Sequence, residues 1–213
     1  SVLGVMFGFL MGYLIELTDK GFHSPSEISQ QLRLSVIGHI PLMSAKKESV
    51  VPSSKIKQIL CTVHRPKSFQ SEAYRTVRTA LYFNTRGKEH QLIQVTSPTP
   101  GDGKSTLTSN LAVTIAQSGK TVLLLDADFR RPTLHKVFGI SADIGLASVV
   151  NGMAEPEDAM HPLPDVPNLS VMPCGPRPDN PSELLSQQSF QTLLTTLQDQ
   201  FDFVLVDTPP LLA

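Results

Sequence analysis

With 213 residues, 40% of them hydrophobic, and a formal net charge of −1, the chain is long enough to bury one sizeable core and has no cationic excess of the kind that draws a protein onto nucleic acid. Nucleic acid is excluded as an expected partner on that ground. The two cysteines, Cys61 and Cys174, stand far apart and in no metal-ligand spacing, so they read as reduced thiols without an assigned role.

The chain opens with an apolar run. From Val2 to Leu17 the one charge is Glu16, and the run is slightly short of the roughly 20 residues a membrane-spanning helix needs. It starts without an initiator Met and reads as the C-terminal part, residues 1–18, of a transmembrane helix that begins upstream. No basic leader or small-residue cleavage site marks a signal peptide, and a buried core helix is the structural alternative. Gly4, Gly8 and Gly12 recur every fourth residue, which would give one helix face a smooth strip for close contact with another membrane helix. Lys20, Arg33, Lys46, Lys47, Lys55 and Lys57 all follow the run, so that side reads as cytoplasmic.

Residues 19–65 read as a connector. Ser24, Pro25, Ser26 and Glu27 form a capping box with Pro at the first helical position, predicting a short helix from Pro25 to Leu34. Val36 to Ile40 reads as a short strand stopped by Pro41. Met43 to Lys57, rich in Ser and Lys, has the composition of an exposed, mobile tether. Helical pattern resumes from Ser71 to Phe83, near the start of a catalytic domain over residues 66–213. Glu72 stands three residues before Arg75 as an intrahelical pair, although a solvated face is the usual fate of such charges.

The chemistry is concentrated where three strand-like runs end. Leu92 to Ser97 leads into a Gly-rich loop, Val122 to Leu125 into Asp126 and Asp128, and Phe203 to Val206 into Asp207. A strand feeding a Gly-rich loop that opens a helix aims several backbone N–H groups into one concavity, where the helix dipole favours phosphate. Pro100, Gly101, Asp102, Gly103, Lys104, Ser105 and Thr106 make up this candidate cradle. Lys104 would reach the β- and γ-phosphates of ATP, Ser105 would ligate Mg²⁺, and Thr106 would reach the α-phosphate. The strict G-x-x-x-x-G-K-S/T pattern is not met, because Pro98 stands at the first Gly. A Gly-Lys-Ser tripeptide alone arises by chance, but Leu107, Leu111 and Ile115 continue at helical spacing until Gly119 stops the helix. Carboxylates just beyond buried strands are held rigidly, which suits Asp126, Asp128 and Asp207 to orient metal-bound water or accept a proton. Turn-forming aspartates are the plain alternative.

Farther along, Leu134, Val137 and Phe138 form a helical patch, and Gly145 to Val150 and Pro156 to Met160 read as short helices. Leu169 to Pro173 reads as a buried strand. A helix starting at Asn180, with Phe190, Leu193, Leu194, Leu197 and Phe201 as its apolar face, crosses over to the Asp207 strand. The expected fold class is therefore α/β, a P-loop NTPase with a mostly parallel sheet and helices on both faces.

The stretches SPTPGDGKST (97–106), LLLDADFRRP (123–132) and FVLVDTPP (203–210) resemble the Walker A, Walker A′ and Walker B motifs of bacterial tyrosine kinases, whose fold is similar to that of the MinD and ParA ATPases. NPSELL (180–185) and EAYRTVR (72–78) also resemble that family, the second being an E-x-x-R-x-x-R element used for ring assembly. MinD and ParA carry K-G-G-x-G-K-S/T, whose first lysine crosses a dimer interface. Here that position is Thr99, followed by Pro100, which argues against a partitioning ATPase. The resemblance implies an ATP- and Mg²⁺-dependent protein-tyrosine autokinase behind a chain-length-determinant membrane domain, anchored in the bacterial inner membrane with the kinase domain cytoplasmic. It implies partners in a ring of identical subunits through Glu72, Arg75 and Arg78, and in the polysaccharide polymerisation and export machinery. It also implies that Asp128 and Asp207 help hold Mg²⁺ while Asp126 deprotonates the acceptor tyrosine. Arg130 and Arg131 are candidate phosphate or acceptor contacts. The tyrosines are Tyr13, Tyr74 and Tyr82, with no cluster, so the acceptor is expected on a missing segment or another protein. The reading from another class is a non-kinase membrane-associated P-loop ATPase or nucleotide-dependent scaffold.

Overall fold

The computed structural model describes residues 2–18, 25–42, 56–84 and 91–212, which fall into two compact units, one up to His39 and one from Ile40 on. The first unit holds α1 (Val2–Thr18) and α2 (Pro25–Leu32). α1 has 17 residues, and no described helix is long and apolar enough to cross a membrane. Val5, Met6, Phe7 and Leu10 of α1 are exposed, and an added Cβ at Gly8 or Gly12 would meet nothing within 4 Å. α2 ends two residues before the expected Leu34 because Arg33 takes a positive φ of 54°, a left-handed conformation that breaks the helix. The capping residue Ser24 lies outside the described residues.

The expected strand at Val36–Ile40 is not formed. Residues 33–42 are irregular, Val36 and Ile37 are exposed, and no strand of the sheet pairs with them. A β-branched run without a neighbour has nothing to satisfy its main-chain ladder. Of the expected tether, residues 43–55 lie outside the described residues, but its end corrects the expectation of exposure. Ile56 is buried and the Lys57 N–H donates to the Val137 carbonyl at 2.9 Å.

The second unit continues with α3 (Cys61–His64), α4 (Phe69–Asn84), β1 (Gln91–Val95), α5 (Lys104–Ala116), β2 (Val122–Asp126) and α6 (Leu134–Phe138). Then come α7 (Leu146–Val150), α8 (Pro156–Ala159), β3 (His161–Pro162), β4 (Leu169–Met172), α9 (Pro181–Ser186), α10 (Gln188–Gln200) and β5 (Phe203–Asp207). The sheet order is β1-β5-β2-β4-β3, parallel except for β3, which runs antiparallel to β4. Parallel strands need crossover connections, and α5, leading from β1 to β2, and the α9–α10 pair, leading from β4 to β5, supply two of them.

Strands β2 and β5 are buried along their whole length, so their near-continuous apolar sequences follow from cover on both faces. Alternation within them sorts side chains between two cores. Val122, Leu124, Phe203 and Leu205 join Leu111, Ile115 and Val77 on one face. Leu123, Leu125, Val204 and Val206 join Leu146, Met172, Leu193 and Leu197 on the other. β1 alternates between half-buried and exposed residues, as an edge strand does.

The single helix expected after Asn180 is two helices. Gln187, with ψ of 148°, is extended between them. The break lets Leu184 of α9 and Leu193 and Leu197 of α10 enter the same core. α3 and the two-residue edge strand β3 carry too short a pattern to be anticipated.

Candidate nucleotide site

Strand register assembles the site. Val95 pairs with Asp207, and Asp207 pairs with Asp126. The last residues of three adjacent strands therefore stand in one row at the carboxyl edge of the sheet, where ligands of open α/β sheets bind.

The loop after β1 is shaped by two glycines and an aspartate. Gly101 and Gly103 have φ of 93° and 86°, values that a Cβ disfavours, and Gly103 caps α5 in the left-handed conformation. Asp102 turns its carboxylate back on the loop. It accepts the Thr99 N–H and the Thr99 hydroxyl, both at 2.8 Å, and these bonds hold its carboxyl below the usual range. Asp102 thus staples the turn with its side chain and has only its main-chain N–H left for a ligand. Pro100 has no N–H to donate and contributes shape to the cavity wall. Thr99 is consumed by the same staple.

Lys104, buried with a side chain 6% exposed, lies at the centre. Its Nζ donates to Asp207 Oδ1 at 2.6 Å and to Ser105 Oγ at 3.3 Å, and stands 3.5 Å from Asp128 Oδ2. The Thr108 hydroxyl, which donates to the Lys104 carbonyl at 2.8 Å, also reaches Asp207 Oδ1 at 3.4 Å. Burial raises the Asp207 carboxyl, opposed by hydrogen bonds from Lys104 and Ser105. Asp207 Oδ2 is buried without a hydrogen-bond partner.

Asp126 is fully buried. Its Oδ1 accepts the Asp128 N–H at 3.2 Å, and its Oδ2 accepts the N–H groups of Thr133 and Leu134, each at 3.1 Å. Burial pushes its pKa up to about 7 against the pull of those amides. It anchors the loop of residues 127–133 and is not among the cavity residues. Asp128 is 5% exposed and does line the cavity, its Oδ1 accepting the Arg131 N–H at 3.1 Å.

A cavity of about 650 Å³ opens over the loop, within the range that accommodates a small-molecule ligand. Gly101, Gly103, Lys104, Ser105, Thr106 and Asp128 form its floor, and Arg130 and Arg131 its flank. Residues the sequence did not assign to the site complete it: Lys57 and Ile59 from the segment before α3, and Lys136 and Val137 from α6. Only proximity in space reveals the first two, since they lie 40 or more positions from the loop they face.

The residues fit Mg²⁺ held together with phosphate. No group of three or more His, Cys, Asp or Glu side chains among the described residues is placed to hold a metal alone. One or two carboxylates plus phosphate oxygens and waters is the usual Mg²⁺ arrangement, and the buried, partnerless Asp207 Oδ2 is an acceptor that suits it. The Cys174 thiol, pushed up to about 12 by burial, is not a reactive group here.

Elsewhere, Arg75 pairs with Glu72 and donates to the Pro66 carbonyl at 2.8 Å, whereas Arg78 donates to the Thr114 carbonyl of α5 at 3.0 Å. Tyr74 is buried, and the Tyr82 hydroxyl lies 3.1 Å from Ser118 Oγ.

Residues 88–212 match the ParA family, described as a NUBPL iron-transfer P-loop NTPase. The chain is 36% identical over 212 residues to Tyrosine-protein kinase ptk of Acinetobacter johnsonii, an alignment that takes in 99% of this chain and 29% of that protein. It is 41% identical over 160 residues to Tyrosine-protein kinase YwqD of Bacillus subtilis, covering 75% of this chain and 67% of that one. The kinase domain of the Escherichia coli tyrosine kinase ETK superposes with a TM-score of 0.80 at 32% identity, over 91% of this chain and 76% of that chain. The chain spans less than a third of the length of the Acinetobacter relative.

Proposed function

The chain belongs to the bacterial tyrosine kinase family, and on that premise we propose that it is part of an ATP- and Mg²⁺-dependent protein-tyrosine autokinase that regulates capsular or exopolysaccharide polymerisation and export. The kinase domain is cytoplasmic, and α1 is the end of a helix anchored in the bacterial inner membrane. Assembly into a ring of identical subunits through Glu72, Arg75 and Arg78, and contact with the polysaccharide machinery, complete the proposal.

One observation carries it. Lys104 stands between Asp207 and Asp128 under a glycine loop, in a site whose Thr99 leaves no lysine to reach across a dimer. Phosphoryl transfer depends on charge neutralisation and in-line positioning more than on covalent chemistry from the protein. The main-chain N–H groups of residues 101–106 cradle the phosphates, and Lys104 moves from Asp207 to the β- and γ-phosphate oxygens. Ser105, Asp128 and Asp207 would hold Mg²⁺. When bound, the ion neutralises charge on the transferring phosphoryl group. Asp126 accepts the proton of the incoming tyrosine hydroxyl, a role its raised pKa suits near neutral pH. Tyr74 is buried and is not the acceptor.

A second reading, a non-kinase membrane-associated P-loop ATPase or nucleotide-dependent scaffold, draws on one observation. Both Asp126 oxygens already hold main-chain amides and neither faces the cavity. Phosphotyrosine blotting of the full-length protein decides between the two. The kinase gives a signal that Lys104→Met abolishes while the protein stays in the membrane; a signal that persists in that variant refutes the site, and nucleotide binding with no signal in the wild type establishes the scaffold.

A further inference from the structure

We propose that the strap of residues 56–60 receives the nucleoside end of the nucleotide, with Ile59 and Val137 as its apolar contacts and Asn110 as the positioning residue that sets the strap against α5. The proposal rests on the ATP-site reading above and identifies which part of the chain reads the nucleoside.

The cavity has a direction. Lys104 and Asp128, which line the cavity, mark the end where the terminal phosphates lie, and Thr106, two residues into α5, faces the α-phosphate. One turn beyond Thr106 stands Asn110, wholly buried, about 6 Å along the helix axis. From the α-phosphate, the cavity wall continues onto whatever Asn110 holds.

Asn110 holds the strap. Its Nδ2 donates to the Ile59 carbonyl at 3.1 Å and to the Thr106 carbonyl at 2.9 Å, so one amide group touches both the strap and the phosphate loop's helix. Its Oδ1 accepts the Thr62 N–H at 3.2 Å, the Thr62 hydroxyl at 3.0 Å and the Cys61 thiol at 3.4 Å. A buried amide with both ends satisfied fixes one geometry, because losing any partner strands a polar group away from water. Gln117 adds a bond from its Nε2 to the Thr62 carbonyl at 3.1 Å.

The other end of the strap is tied to the opposite wall. The Lys57 N–H bonds to the Val137 carbonyl, and Ile56 and Leu60 are buried in the core. Between these anchors Ile59 remains 37% exposed and lines the cavity, as does Val137. A rigid strap that buries its flanking residues and leaves one branched apolar side chain in the cavity suits the flat apolar face of a nucleobase. Lys57 and Lys136 also line the cavity.

The test compares two probes on the detergent-solubilised full-length protein by calorimetry: Mg-ATP, and Mg-tripolyphosphate, which has the phosphates without the nucleoside. Ile59→Ser and Asn110→Leu are expected to weaken Mg-ATP at least tenfold and to leave Mg-tripolyphosphate within twofold. A structural defect alone would not separate the probes in this way. Ile59, being partly exposed, keeps the test open if Asn110→Leu does not fold. ATP affinity unchanged in Ile59→Ser overturns the proposal, and so does a parallel loss of both probes. Wild-type protein that binds neither probe overturns the ATP-site reading itself, a failure distinct from the others.

Discussion

Lys104 Nζ and Asp207 Oδ1 lie 2.6 Å apart at the end of two elements 103 positions distant in sequence, both side chains almost wholly buried. The lysine that would grip phosphate is thus engaged with the carboxylate that would help hold the metal, and binding of one ligand frees the site for the other.

Removing one partner of such a pair strands the other. Lys104→Met is expected to lower the stability of the ligand-free protein by about 3 kcal/mol as well as abolish phosphotyrosine. Chemical denaturation in the absence of nucleotide and metal measures the loss. Stability equal to wild type would mean that the pair does not hold the empty site together.

Arg75 and Arg78 should separate by mechanism. Arg75 pairs with exposed Glu72 and makes its bond to the Pro66 carbonyl in an exposed position, whereas the Arg78 guanidinium bonds the Thr114 carbonyl of α5 in a half-buried one. Arg75→Ala is expected to disassemble the ATP-free ring with stability unchanged within about 0.5 kcal/mol. Arg78→Ala should cost about 1 kcal/mol through the lost bond. Light scattering and urea denaturation of the full-length protein read the two effects, and an oligomer that survives both substitutions removes the assembly role.

Asp126 should make stability depend on pH. Its carboxyl is raised from 3.8 to about 7 on folding, chiefly by burial. Between those values the folded protein keeps a proton that the unfolded chain releases, so stability from this group is present at low pH and is lost as pH rises toward 7. Thermal scans of the ligand-free protein from pH 4 to 8 should show that decline in the wild type and a flatter profile in Asp126→Asn. Equal slopes in both would place the titration elsewhere.

Gly145 is expected to tolerate no side chain. A Cβ there would stand 2.3 Å from both the Gly175 nitrogen and the Pro173 carbonyl oxygen. Neither can retreat easily, because Leu146 and Ala147 donate their N–H groups to the Pro173 and Cys174 carbonyls at 2.8 and 2.9 Å. Gly145→Ala should destabilise the domain by about 3 kcal/mol or more. A denaturation midpoint that does not move would show that the two segments can part.

Much of the site was legible because its residues fall at strand ends. The apolar runs into Asp126 and Asp207 are continuous since β2 and β5 are covered on both faces, and a parallel sheet then has to gather their ends, with that of the edge strand β1, on one edge. The glycines of the loop were legible for a different reason, their positive φ values. Val36–Ile40 misled because β-branched composition records a preference that only a pairing neighbour realises. The break at Gln187 was hidden because Leu184, Leu193 and Leu197 continue the apolar pattern across it.

The sequence by itself determined the α/β layering, the phosphate-type loop and the three aspartates, because strand burial and Gly-rich turns leave local marks in composition and spacing. Tertiary structure alone decided which of those groups face one another: that Lys104 rests on Asp207, that Asp126 is sealed behind its amides, and that Ile59 and Lys57 belong to the cavity. Those relations come from strand register and from one buried amide at Asn110 closing contacts across about 50 residues of chain, and no local pattern encodes a distance of that kind.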